Sequence, residues 1–72
     1  MKYEDSLYCI MERAMCKMTS AEDLTTLVKR WDESIDDYIA FINEHDISLI
    51  NRISYRAWLD QTYLMLRTYL KE

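Results

Sequence analysis

Residues 24–42 read LTTLVKRWDESIDDYIAFI, and this stretch decides the fold. Its apolar residues recur four and three positions apart, so at about 100° per residue they share one side of an α-helix. Ser34, with Asp36 and Asp37 after it, also resembles a helix start, which leaves open two helices meeting there. We favour one amphipathic helix because the apolar pattern keeps its phase through Ser34. That pattern comprises Leu24, Val28, Trp31, Ile35, Tyr38 and Ile42, flanked by Leu27, Ile39 and Phe41.

Helix-start signals occur on both sides of this stretch. Before it, Thr19 with Glu22, or Ser20 with Asp23, has the capping-box spacing. After it, Asp46 is a candidate N-cap for a last helix, and His45 is expected to end the middle one. The sequence therefore predicts a single helical domain over residues 1–72, with helices at about 3–18, 20–43 and 47–70.

Composition supports an all-α fold. The 72 residues include no glycine and no proline, which disfavours the tight turns of hairpin-rich β structure. Missing glycine also excludes the glycine-rich loops that bind phosphate groups. We expect an antiparallel three-helix bundle, or four helices if the chain breaks near Ser34.

The last predicted helix carries two apolar faces, although a three-helix bundle needs one face per helix. The surplus predicts that the chain is a dimer or is bound to a partner. We expect the larger face to dock, because tyrosine and tryptophan are common at binding hot spots, although core packing of these aromatics is equally open. The smaller face has Ile50, Ile53, Ala57 and Leu64, and the larger has Tyr55, Trp58, Leu59, Met65, Leu66, Tyr69 and Leu70. The predicted docking residues are Tyr55, Trp58, Met65 and Tyr69.

Charge is distributed unevenly around a net charge of −4. Residues 20–46 hold eight acidic and two basic residues, whereas residues 47–72 hold four basic and two acidic ones. An acidic chain is a poor direct ligand for nucleic acid, whose phosphates bind lysine and arginine. We expect the acidic cluster to be either a solvated face or a patch that meets a basic protein partner. This cluster is Asp32, Glu33, Asp36 and Asp37.

Basic residues recur along the last helix. They could contact phosphate, but in an acidic chain we favour pairing with the acidic helix of the same chain or of a second copy. They are Arg52, Arg56, Arg67 and Lys71.

No catalytic or metal site is predicted, so we expect neither an enzyme nor a cofactor. His45 is the only histidine. Cys9 and Cys16 on one helix would be about 10 Å apart, too far for a disulfide, and their spacing fits structural zinc poorly. We expect reduced, partly buried thiols. No apolar run approaches the roughly 18 residues of a membrane span, and no signal peptide is evident, so we expect no membrane association and a cytoplasmic location.

The chain from Leu24 onward resembles the TomB (YmoB) family, small acidic helical partners of Hha-type nucleoid modulators. The strongest part is WLDQTYLML at residues 58–66, similar to that family's aromatic-Leu-Asp-Asp-Thr-Phe segment. Other matching residues are Leu24, Leu27, Val28, Tyr38, Asn43, Glu44, Asp46, Leu49, Ile50, Ile53 and Tyr69. A weaker resemblance to Hha itself uses Ser34, Phe41, Asp46, Leu49 and Asp60. Either resemblance implies a protein that acts by binding a regulator.

These observations predict a non-enzymatic interaction module that binds and modulates another protein, such as a DNA-binding regulator or a toxin. Two alternatives remain open. One is a phage- or plasmid-encoded inhibitor, anti-CRISPR-like, whose carboxylates imitate phosphates. The other is a secretion chaperone or assembly subunit.

Overall fold

The computed structural model describes residues 3–70, including side chains from Leu7 onward, and forms a three-helix bundle. Helix α1 spans Tyr3–Thr19, α2 spans Leu24–Glu44 and α3 spans Leu49–Leu70. Each helix contacts both others, and the described residues contain no strand. The predicted all-α three-helix fold is confirmed.

The first connection begins α2 later than the sequence analysis predicted. Asp23 is the N-cap, its carboxylate accepts the Thr26 amide at 2.7 Å, and α2 starts at Leu24 instead of residue 20. These Thr26 hydrogen bonds hold the pKa of Asp23 below its usual value. Thr19 and Ser20 cap nothing in α2, because their hydroxyls donate to the carbonyls of Met15 and Lys17. They satisfy the open end of α1.

The second connection also differs from the prediction in one respect. His45 ends α2 as its C-cap, as expected. However, α3 begins at Leu49, and the Ser48 hydroxyl, not Asp46, accepts an amide of its first turn, from Asn51 at 3.2 Å. Ile47 lies between them and is buried. Ile47 is directed into the core, and the next residue, Ser48, immediately precedes the first residue of α3.

Helix α2 is continuous through Ser34, so the four-helix alternative is wrong. Ser34 is buried, and its hydroxyl donates to the Arg30 carbonyl at 2.9 Å. A serine inside a helix can donate its hydroxyl hydrogen bond to a carbonyl of the preceding turn. Ser34 does this, so it is an interior residue of α2 and not the start of another helix.

The core runs the length of the bundle. The helices bury apolar residues spaced for one helical side each, and the connections add Ala21 and Ile47. No helix in the described range 3–70 combines the length and apolar character that a membrane span requires. The buried apolar residues are Ile10, Ala14, Met18, Ala21, Leu27, Tyr38, Phe41, Ile47, Tyr55 and Leu59.

Candidate protein-interaction surfaces

Tyr55, predicted to dock, is a core residue with 3% of its surface exposed. Its ring stacks on Tyr38 with centroids 5.1 Å apart, and its hydroxyl donates to the Ile10 carbonyl at 3.3 Å. Burial raises the pKa of Tyr55 to about 12, and the Asp37 carboxylate and the Tyr38 hydroxyl add to the rise. Tyr55 therefore connects the helices, and only the small part of it that lines the cleft between α1 and α3 can reach a partner.

The other three predicted docking residues form a row on α3. Trp58 is half-buried beside Tyr55, with ring centroids 5.5 Å apart. Met65 and Tyr69 are 54% and 72% exposed. Spacings of seven and four residues place all three on one side of the helix. We call these three residues the aromatic row.

A cleft of about 210 Å³ lies between α1 and α3, nearer to the start of α3 than this row. Trp58 and Met65 lie one and two heptads after Asn51, which lines the cleft, so the row continues the line of the cleft along α3. Of the cleft residues, only Tyr55 was predicted from the sequence, and the heptad spacing from Asn51 was the signal available for the others on α3. The lining residues are Leu7, Tyr8 and Met11 of α1 with Asn51, Ser54 and Tyr55 of α3.

The two apolar faces of α3 are placed differently from what we predicted. The larger face is divided: Tyr55 and Leu59 are buried and Leu66 and Leu70 pack against the core, whereas Met65 and Tyr69 stay exposed. The smaller face points outward, with Ile53 60% and Leu64 50% exposed. Turning the larger face inward buries more apolar area, which favours this orientation.

The acidic cluster is divided between two sides of α2. The Asp37 carboxylate pairs with Lys17 of α1 at 3.2 Å. Asp32 and Asp36 are exposed on the side opposite the buried residues, and Glu33 is half-buried. The four carboxylates therefore do not form one patch, and the exposed pair is on a different helix from the aromatic row.

The basic residues of α3 do not pair with the acidic helix of their own chain. The Arg52 guanidinium donates to the Ile47 carbonyl at 3.0 Å, and Arg56 pairs with Asp60 of the same helix at 3.2 Å. Asp60 also accepts the indole N–H of Trp31 at 3.2 Å. The predicted stripe also included Lys71, which lies outside the described residues.

Both cysteines are exposed on α1, so the prediction of partly buried thiols is wrong. Ile10, Ala14 and Met18 occupy the inward side of α1 and leave the cysteines outside. Within residues 3–70, no cluster of three or more histidine, cysteine or carboxylate side chains is arranged to hold a metal ion.

The surfaces available for binding are thus the aromatic row with its cleft, and the outward side of α3 with its neighbours on α2. Both are apolar surfaces on helices fixed by a packed core. Comparisons with models of protein families, with curated proteins and with solved structures found no match.

Proposed function

We propose that this chain is a non-enzymatic, cytoplasmic interaction module that binds and modulates a protein partner. A DNA-binding regulator of the Hha type is the partner that the family resemblance implies. The observation that carries the proposal is the exposure of Met65 and Tyr69 on the same side of α3 as Asn51, which lines the cleft between α1 and α3. Isolated exposed apolar residues are ordinary, but an exposed apolar row that is aligned with a cleft is typical of a binding site.

The chemistry of this site suits protein recognition. Tyrosine and tryptophan offer large contact areas with little loss of rotamer entropy, and methionine adapts to irregular surfaces. Asn51 and Ser54 add polar groups at the edge of the cleft. A buried centre with a polar rim is the usual anatomy of an interface.

The cleft specifies what the partner contributes. Its volume of about 210 Å³ and its mainly apolar lining fit one large aliphatic or aromatic side chain. That side chain would lie over the Tyr55 ring, with the aromatic row covering the adjacent turns of the partner. We infer a helical partner segment because the row follows the axis of α3 over three turns.

Truncating the exposed part of the row tests this proposal. We expect Tyr69→Ala to weaken binding to a purified Hha-type protein by about 2 kcal/mol, roughly 30-fold in Kd, by isothermal titration calorimetry. Met65→Ala should weaken it by a smaller amount. Because both side chains are exposed, neither change should disturb the fold.

Leu64→Ala is the matched control for Met65→Ala. Leu64 is adjacent in sequence and similarly exposed, but it faces another side of α3. It should leave the affinity unchanged. If Leu64→Ala and Met65→Ala weaken binding equally, or if Tyr69→Ala leaves the affinity unchanged, the aromatic row is not the binding site. If the unmodified chain does not bind the Hha-type protein at all, that partner is rejected.

The exposed carboxylates contribute a separate, electrostatic part of the proposal. Asp32 and Asp36 face solvent and give α2 a negative outer side, which attracts a basic partner during approach. Because Asp37 is already paired with Lys17, it adds little to this field. The arrangement does not favour the phosphate-imitating alternative, which needs carboxylates along one surface.

Neutralising the exposed pair tests this part. We expect Asp32→Asn combined with Asp36→Asn to slow association with the Hha-type protein about threefold or more at low salt, measured by stopped flow. The effect should shrink as salt increases. Asp37→Asn is the control and should change the rate less. An unchanged association rate of the double variant at low salt contradicts steering by α2.

A further inference from the structure

The outward side of α3 carries an apolar stripe that no other part of the described chain, residues 3–70, covers. Ile50, Ile53, Ala57 and Leu64 follow one another at spacings of three, four and seven residues, so they form a line along the helix. All four are exposed. This line lies on a different side of α3 from the aromatic row.

Helix α2 extends this stripe into a two-helix face. Val28 and Ile39 are exposed on α2. The contacts of Trp31 with Asp60 and of Tyr38 with the Arg52 carbonyl show that α2 and α3 run antiparallel. Counting along both helices from these contacts places Val28 level with residues 62–63, next to Leu64, and Ile39 level with residues 51–52, next to Ile53.

A shallow groove of about 500 Å³ follows the same face. Ile53 and Ala57 line it together with Tyr38 of α2. Ala57, the smallest side chain of the stripe, lies near its middle, so an approaching helix can come close there. The groove and the exposed residues define a surface suited to two packed helices.

We propose that a second copy of this chain covers this face, forming a two-fold dimer whose axis runs parallel to the helices. Charge favours this occupant and this axis. Helix α2 has two basic and five acidic residues, net −3, whereas α3 has three basic and one acidic, net +2. A parallel two-fold axis places the net-negative α2 of each copy against the net-positive α3 of the other, which favours association.

The alternative two-fold axis, perpendicular to the helices, is disfavoured by the same charges. It would stack α2 on α2 and bring Asp32 and Asp36 of both copies to one side of the interface. Like charges placed together oppose association. The parallel axis instead sets these carboxylates against the outer edge of α3, where Ser54 and Gln61 are uncharged.

The parallel axis also fixes the register between the two copies. A two-fold rotation about this axis moves no residue along the helix direction. A residue of α2 in one copy is therefore level with the same α3 residues in the second copy as in its own chain. Trp31 is level with Asp60 and the helices are antiparallel, so Asp32 of one copy is level with residue 59 of the second copy. Gln61, two residues further along, is the polar residue nearest to it on the outer edge of α3. This neighbourhood is specific to the proposed dimer.

Light scattering and sedimentation of the purified chain test the dimer. We expect twice the mass of the 8.8 kDa chain. Leu64→Lys should raise the dimer dissociation constant at least about tenfold, because it buries an unpaired charge. Met65→Lys, the same change at the next residue and at similar exposure, should leave the dimer intact. Circular dichroism should show both variants folded.

A pair of substitutions at Gln61 tests the arrangement. Gln61→Lys should tighten the dimer, because the new ammonium group attracts the Asp32 carboxylate of the other copy. Gln61→Glu should weaken it, because the two carboxylates repel each other. A reversed or absent difference overturns the parallel axis.

Other outcomes reject the second copy as occupant. A chain that stays at 8.8 kDa at high concentration, or that Met65→Lys dissociates as readily as Leu64→Lys, overturns the dimer. If a monomeric chain binds the Hha-type protein and loses that binding in Leu64→Lys alone, the face belongs to that partner instead. The aromatic row of the proposed function is on the other side of α3, so docking through that row and the dimer can fail independently; only steering by Asp32 and Asp36 shares residues with the dimer.

Discussion

Leu59→Ala should lower the free energy of unfolding by roughly 2–5 kcal/mol, measured by urea denaturation followed by circular dichroism. Leu59 has no exposed surface and lies in the core of the bundle. Truncation removes its transfer free energy and leaves a cavity that rigid helices fill only in part. A domain of this size typically has only about 4–11 kcal/mol of stability, so the variant should be partly unfolded in mild denaturant.

Two methionines provide the control for this prediction, because they separate burial from side-chain type. Met18 is 1% exposed and Met65 54% exposed. Met18→Ala should therefore cost an amount similar to Leu59→Ala, whereas Met65→Ala should stay within about 0.5 kcal/mol of the unmodified chain. If Leu59→Ala lowers the free energy of unfolding by less than Met65→Ala does, α3 packs against its neighbours with a side other than the one that carries Leu59.

The middle helix was predictable because its apolar residues define one face only. The pattern from Leu24 to Ile42 fixes both the helix and its orientation, and continuity through Ser34 followed from the phase of that pattern. Helix ends were less predictable, because several residues near each end can cap. Thr19 and Ser20 satisfy α1, and Asp23 remains to cap α2.

The orientation of α3 could not be predicted from its own residues. With two apolar faces, either can point inward, and the choice depends on what the neighbouring helices supply. Tyr38 stacks on Tyr55, and Trp31 stacks on Tyr63 with ring centroids 4.4 Å apart. These inter-helix contacts commit Tyr55 and Tyr63 to the core. The surplus apolar surface is then the smaller face together with Met65 and Tyr69, the exposed part of the larger one.

Tyr55 should make the bundle sensitive to alkali. Its pKa is about 12 in the folded chain, against about 10 in an unfolded chain. Between these values the unfolded state binds fewer protons than the folded state, so the free energy of unfolding falls as pH rises. The stabilisation is fully present below pH about 10, and roughly 2–3 kcal/mol is lost by pH about 12.

Tyr55→Phe isolates this effect, because it keeps the ring and removes the titrating hydroxyl. At neutral pH we expect a loss of about 0.5–1.5 kcal/mol from the missing hydrogen bond to Ile10. Above pH about 10 the variant should lose less stability than the unmodified chain, so that their unfolding curves converge or cross. Tyr69→Phe, which alters an exposed ring, should follow the unmodified chain throughout. Parallel pH dependences for Tyr55→Phe and Tyr69→Phe would mean that the Tyr55 hydroxyl is solvated, and the cleft between α1 and α3 would then lack its buried aromatic floor.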